Sequence, residues 1–169
     1  MSKMVMHANI DKIIEDLTNR RIGGHNDVNS IRNGYNHIAA VITKNKRDNF
    51  NVESIGENSM NNNISIHAES CAINKLPSNN KNFKKVDILV IRVSPSRKLG
   101  NSKPCIKCID CMCNFAVKKG YKINNIYYST TCGEIQKKKL IELINDDDIH
   151  ISKYYRLTNY KHPLLNVEC

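Results

Sequence analysis

Two short stretches limit the fold of this chain more than any other part of it: "SIHAESC" from Ser65 to Cys71, and "PCIKC" from Pro104 to Cys108. Each reads as the opening of a helix. The 34 residues between Glu69 and Pro104 hold the body of one helix, the asparagine-rich stop "PSNNKN", the strand "KKVDILVIRVS" and the loop "SRKLGNSK". Each motif-bearing helix therefore follows a strand and a loop. That order sets both helix N-termini at one edge of a sheet, where sites in open α/β folds commonly form.

The rest of the sequence fits a sheet covered by helices. Ile10, Ile13, Ile14 and Leu17 recur at helical spacing, so a first helix is predicted over residues 8–20. "RIGGHNDVNSIRNG" is loop-like, with Gly23, Gly24 and Gly34 as breakers. "HIAAVITK" reads as a buried strand and "FNVESIGEN" as its hairpin partner across the turn "NKRDN". "SMNNNIS" then reads as a loop. Val86, Ile88, Val90 and Val93 make the strongest strand, closed by Pro95. Pro104 is expected in the first turn of a helix, where its missing N–H costs nothing, and Gly120 ends that helix. "NNIYYST" is a further strand, and the segment from Thr131 reads as a short strand followed by a helix. The expectation is a single domain over residues 1–169: a three-layer α/β/α fold whose mixed sheet of about five strands is flanked by helices.

Composition narrows the setting. A chain of 169 residues, 40% hydrophobic, buries a core without disulfide help. No apolar run approaches the roughly 20 residues that span a bilayer, and the N-terminus lacks the continuous apolar core of a secretory signal. A cytoplasmic, reducing location and no membrane partner are expected. Four of the seven cysteines crowd into "PCIKCIDCMC", which in a reduced chain favours metal or thiol chemistry over a disulfide framework. The net charge of +10 would suit a polynucleotide ligand. Asparagine, isoleucine and lysine dominate the composition, however, a bias that A/T-rich coding sequence produces without selection on charge.

Alone, each motif is ordinary. Glutamate in a first turn complements the helix dipole. C-x-x-C at a helix start fits a structural zinc half-site, a redox pair or an iron–sulfur fragment. Together they supply one imidazole (His67) and two thiolates (Cys105, Cys108), a zinc donor set with a fourth tetrahedral position left for water. Glu69, two residues past the histidine, can reach such a water without binding the metal.

"HAE" at His67–Glu69 followed by "PCIKC" at Pro104–Cys108 resembles the signature of the cytidine deaminase-like zinc deaminases, and the similarity extends from about His37 to Ser129. The resemblance implies a zinc-dependent hydrolytic deaminase acting on an amino-nucleobase. Zn2+ activates the attacking water, His67, Cys105 and Cys108 hold the ion, and catalytic Glu69 carries protons. It also implies a substrate-binding asparagine after the second strand. Asn58 is the nearest match, with Asn61 to Asn63 as competitors.

Histidine as the first ligand tilts away from the free-cytidine branch. A bare domain nevertheless favours a small-molecule substrate, a cytosine nucleoside or nucleotide of the CMP or dCMP type. The alternatives are a base in single-stranded RNA or DNA, and an inactive zinc-binding module. Family members often pair or form tetramers, so a homo-oligomer is expected. Cys71, Cys111 and Cys113 read as small packing residues. His25, His37, His150 and His162 have no motif partner and read as surface or loop residues. Lys103 stands where several branches of the family carry Glu, Ser or an apolar residue. The aromatic and basic tail "KYYR" and "NYKH" suits either base stacking or packing on the core.

Overall fold

The computed structural model describes residues 10–19, 35–45, 49–61, 64–80 and 82–151. The loop expected over 21–34 and the aromatic, basic tail beyond Ile151 lie outside them. In chain order the elements are helix α1 (residues 10–19), strands β1 (Asn36–Lys44), β2 (Phe50–Glu57), β3 (Ser59–Asn61) and β4 (Ile64–Ile66), and helix α2 (Ala68–Lys75). Strands β5 (Lys84–Val93) and β6 (Leu99–Gly100) follow, then helix α3 (Ile106–Asp110), a π-helical turn (Cys111–Phe115) and α4 (Ala116–Lys118). Strands β7 (Tyr121–Ser129) and β8 (Ile135–Lys139) and helix α5 (Leu140–Ile144) complete the order.

Side chains alternate across each strand, and the sheet sorts them into two cores. Ala39 and Val41 of β1 join Val86, Ile88 and Val90 of β5 on the face covered by α2 and α3. Ile38, Ala40 and Ile42 join Leu89, Ile91 and Val93 on the other face, against Ile10, Ile13 and Leu17 of α1. Both faces being apolar explains the nearly unbroken hydrophobic run of β5. The main sheet runs β2-β1-β5-β7-β8, with the two-residue β6 added beside β5. Only β5 and β7 pair in parallel; the other pairs are antiparallel. The expected mixed sheet between helical layers is what forms, with six strands in place of about five. The short strand and helix after Thr131 are also present, as β8 and α5.

Four local expectations differ from the structure. "SMNNNIS" contains the two-strand ladder β3–β4, whose three-residue strands are too short to show an alternating pattern. Pro104 stands outside the helix: Cys105, with extended backbone (φ −80, ψ 167), is the N-cap, so the proline's fixed φ serves the segment leading in. The helix through Lys118 is interrupted by a π turn, which the α-like spacing of Ile109, Met112 and Ala116 does not foretell. Strand β7 also begins earlier than "NNIYYST", directly after Gly120, whose φ of +84 turns the chain out of the helix.

Buried serines fix the chain where it leaves β6 for the second motif. Ser102 Oγ donates to the Val90 carbonyl (2.8 Å), meets Ser129 Oγ (2.9 Å) and accepts from the Ser129 N–H (2.8 Å). The N–H of Ser102 donates to the Ser129 carbonyl at 2.8 Å. This clamp joins the C-terminal ends of β5 and β7, three residues before Cys105. Among the described residues, no helix is long and apolar enough to cross a membrane.

Candidate metal centre

His67 and Cys105 are N-caps of α2 and α3, both with extended backbone, and Cys108 lies in the first turn of α3. The two helices pack side by side on one sheet face, and their N-terminal ends meet. His67 Nδ1 lies 3.1 Å from Cys108 Sγ and 3.4 Å from Cys105 Sγ, and the two sulfurs are 3.6 Å apart. With Zn–S near 2.3 Å and Zn–N near 2.0–2.1 Å, tetrahedral geometry separates two sulfurs by about 3.8 Å and a nitrogen–sulfur pair by about 3.5 Å. The three atoms thus form one face of a zinc-sized tetrahedron. Among the described residues, no other group of three histidine, cysteine or acidic side chains converges in this way.

The electrostatics suit a cation. The Cys105 thiol is pulled down to about 4, chiefly by its hydrogen bond with Cys108 and then by His67. Cys108 moves the other way, held up by that shared hydrogen bond and by burial, so the pair gives up one proton readily and keeps the second. His67 is raised by its bond to Cys105. A divalent ion held by the three atoms would replace these protons, as thiolate sites do. The donor set therefore fits zinc.

A protein-family model described as the cytidine and deoxycytidylate deaminase zinc-binding region matches residues 25–123, more than half of the chain. The chain belongs to this family. No curated protein and no solved structure matches it. The family is one of zinc-dependent deaminases, and the His67, Cys105 and Cys108 triad of this deaminase domain is positioned to bind the metal ion.

Around the triad, Glu69 in the first turn of α2 is 4% exposed, and its carboxyl meets the Cys108 thiol. Burial raises its pKa above the usual carboxylate range. Asn58 follows β2 and is fastened to the start of β1: its Oδ1 accepts the His37 N–H at 2.8 Å, and its own N–H donates to the His37 carbonyl at 3.1 Å. Of its competitors, Asn62 and Asn63 lie outside the described residues. Cys71, Cys111 and Cys113 are partly buried and stay out of the donor set. Cys111 meets Ser70 instead, and burial raises its thiol.

One histidine expected at the surface needs revision. His37 is half-buried on the metal-side face of β1, and burial, then the charges of Arg92 and His67, lower it to about 4. The alternation that turns Ala39 and Val41 inward was the signal for it. His150 is exposed, as expected of a loop residue, but its carbonyl accepts the Ile106 N–H at 3.0 Å, beside Cys105. His25 and His162 lie outside the described residues. Lys103 has a structural use as well. It pairs with Asp146 (3.3 Å) and Asp148 (3.4 Å), tying the approach to Cys105 onto the loop that leads to His150.

Metal removal gives the first test. Stripping zinc with a chelator is expected to release one ion per chain and to lower the melting temperature by roughly 10 °C, as follows from about 4 kcal/mol of linkage at a thousandfold excess over Kd. Calorimetry with and without chelator reads it. An unchanged melting temperature would mean that the triad carries no metal.

Proposed function

We propose that this domain hydrolytically deaminates cytosine in a free nucleoside or nucleotide of the CMP or dCMP type. The observation that carries the reading is Glu69, a carboxyl group buried beside a three-donor metal corner. Structural zinc sites close with four protein ligands and have no use for an enclosed acid, whereas catalytic sites keep one position open. When bound, zinc supplies a Lewis acid that makes water a competent nucleophile near neutral pH.

The chain's own part is proton transfer and orientation. Water adds to the amine-bearing carbon, the C–N bond breaks, and ammonia leaves as a carbonyl forms. Glu69 carries two protons in turn: one from the attacking water to the ring nitrogen, and a second from the added hydroxyl to the departing amine as the carbonyl forms. The raised pKa that burial gives its carboxyl favours a group that must hold a proton part of the time. Asn58 contributes by steering the sugar. Its Oδ1 is committed to the His37 N–H, which leaves its amide NH2 as the group for substrate and fixes the orientation of that group.

A base in single-stranded nucleic acid is the second reading, favoured by the net charge of +10. An ammonia-release screen with the zinc-loaded protein separates the two. It compares cytosine, adenine and guanine as bases, nucleosides, nucleotides and oligonucleotides. Turnover of CMP or dCMP at micromolar concentrations is the expected result. Release confined to oligonucleotides, with steep salt dependence, would replace the first reading by the second. Release from no compound in the screen would overturn both.

A further inference from the structure

Arg92 sits at the metal end of the sheet and, among the described residues, has no acid paired with it. It is the last but one residue of β5 and shares the parity of Ile88 and Val90, which face α2 and α3. Its main-chain N–H donates to Ser129 Oγ at 3.2 Å, within the serine clamp that precedes Cys105. Across the ladder it stands opposite His37. The main-chain N–H and carbonyl of His37 both turn to Asn58, so His37 and Arg92 form a non-hydrogen-bonded pair, the kind whose side chains lie closest.

The guanidinium is held but not satisfied. It lies over the Tyr35 ring, with Cζ 4.3 Å from the centroid. Gly100, its partner in β6, offers no side chain to crowd the pair. Among the described residues, the buried Arg92 Nε has no hydrogen-bond partner, and no ion pair involves this side chain. A buried cationic N–H left unbonded is costly, and stacking on an aromatic face leaves the N–H edge of a guanidinium open. That edge is a fork matched to two oxygens of one phosphate. His37, directly opposite in the ladder, brings an imidazole to the same end of the sheet.

We propose that Arg92, backed by Tyr35 and flanked by His37, is an anion subsite beside the metal centre that takes a phosphate group of the substrate. The assignment rests on the reading of the neighbouring site as a deaminase centre. The phosphate comes either from a free nucleotide or from the backbone of a strand, and Arg92 serves both by the same chemistry.

The test uses the zinc-loaded full chain with R92Q and R92K. The ratio of kcat/KM for dCMP to that for deoxycytidine is expected to fall roughly 10- to 100-fold in R92Q, the loss typical of a charge-assisted pair, and to recover in part in R92K. Equal losses on both substrates would overturn the subsite. A cytosine-containing oligonucleotide in the same assay identifies the source. A larger loss on the oligonucleotide than on dCMP assigns the subsite to a strand, and the reverse assigns it to a free nucleotide.

Inorganic phosphate, followed by 31P NMR, reads the subsite without any turnover. The wild type is expected to broaden and shift the phosphate line, with the effect reduced roughly tenfold in R92Q and less in R92K. The same effect in all three proteins would sink the proposal, even with an active deaminase. Phosphate binding lost in R92Q would sustain it, even if cytosine proved to be the wrong base.

Discussion

Replacing Glu69 by Gln is expected to cut ammonia release by about 10²- to 10⁴-fold, the range for a lost general acid–base group, while one zinc stays bound per chain. Gln keeps the shape and one oxygen of the buried carboxyl but cannot shuttle a proton. Three other side chains are positioned to bind the metal, so its binding has no reason to change. Stability should not fall either. The pocket raises the pKa of Glu69 because a charge is unwelcome there, and an amide removes that cost. Zinc analysis, a melting curve and single-turnover ammonia release on one preparation separate the possible roles. Loss of zinc along with activity would make Glu69 a ligand. Wild-type turnover would remove it from the mechanism.

The metal corner was legible in the sequence because its parts are local. His67 with Glu69, and Cys105 with Cys108, are each fixed by helix-start geometry, and the interval between them leaves few ways for the two helix ends to meet. The strands were legible for a similar reason: β1 and β5 are buried on both faces and therefore strongly apolar. What escaped notice depends on neighbours distant in sequence. His37 gains its place from Arg92, 55 positions away but directly opposite in the ladder. Lys103 gains its partners from a loop more than 40 residues later. The position of Asn58 after β2 is readable from the sequence, but the bond that orients it, to the start of β1, is a product of the hairpin register. The π turn at Cys111–Phe115 has no sequence signal at all in the spacing of its buried residues.

Gly56→Ala tests whether β2 sets the position of the metal-binding helix, and a large effect is expected. Gly56 is buried in β2, opposite Ala39, where α2 passes directly over the strand. A Cβ at this position would overlap the Ala72 nitrogen and the Ala68 carbonyl and crowd the Cys71 carbonyl carbon. All three are main-chain atoms, so no side chain can swing away to relieve the clash. Helix α2 is also tied to β2 by Ser54 Oγ donating to the Ala72 carbonyl (2.8 Å) and Lys75 Nζ donating to the Ile55 carbonyl (2.9 Å). Lifting α2 strains both bonds and carries His67 and Glu69 away from the cysteines of α3. The expected cost is about 3 kcal/mol, the upper part of the overpacking range, or a melting temperature lower by roughly 6–12 °C. Zinc affinity should fall with it, because one ligand of three moves while two stay. Gly133→Ala is the control. Its φ of +83 strains any side chain by about 1–2 kcal/mol, but a Cβ there meets nothing within 4 Å and α2 is untouched. Zinc affinity that falls in G56A and holds in G133A would show that a hydrogen atom on β2, and nothing larger, lets the histidine reach the metal. Equal zinc affinity in both variants would show that α2 finds its place without that close approach.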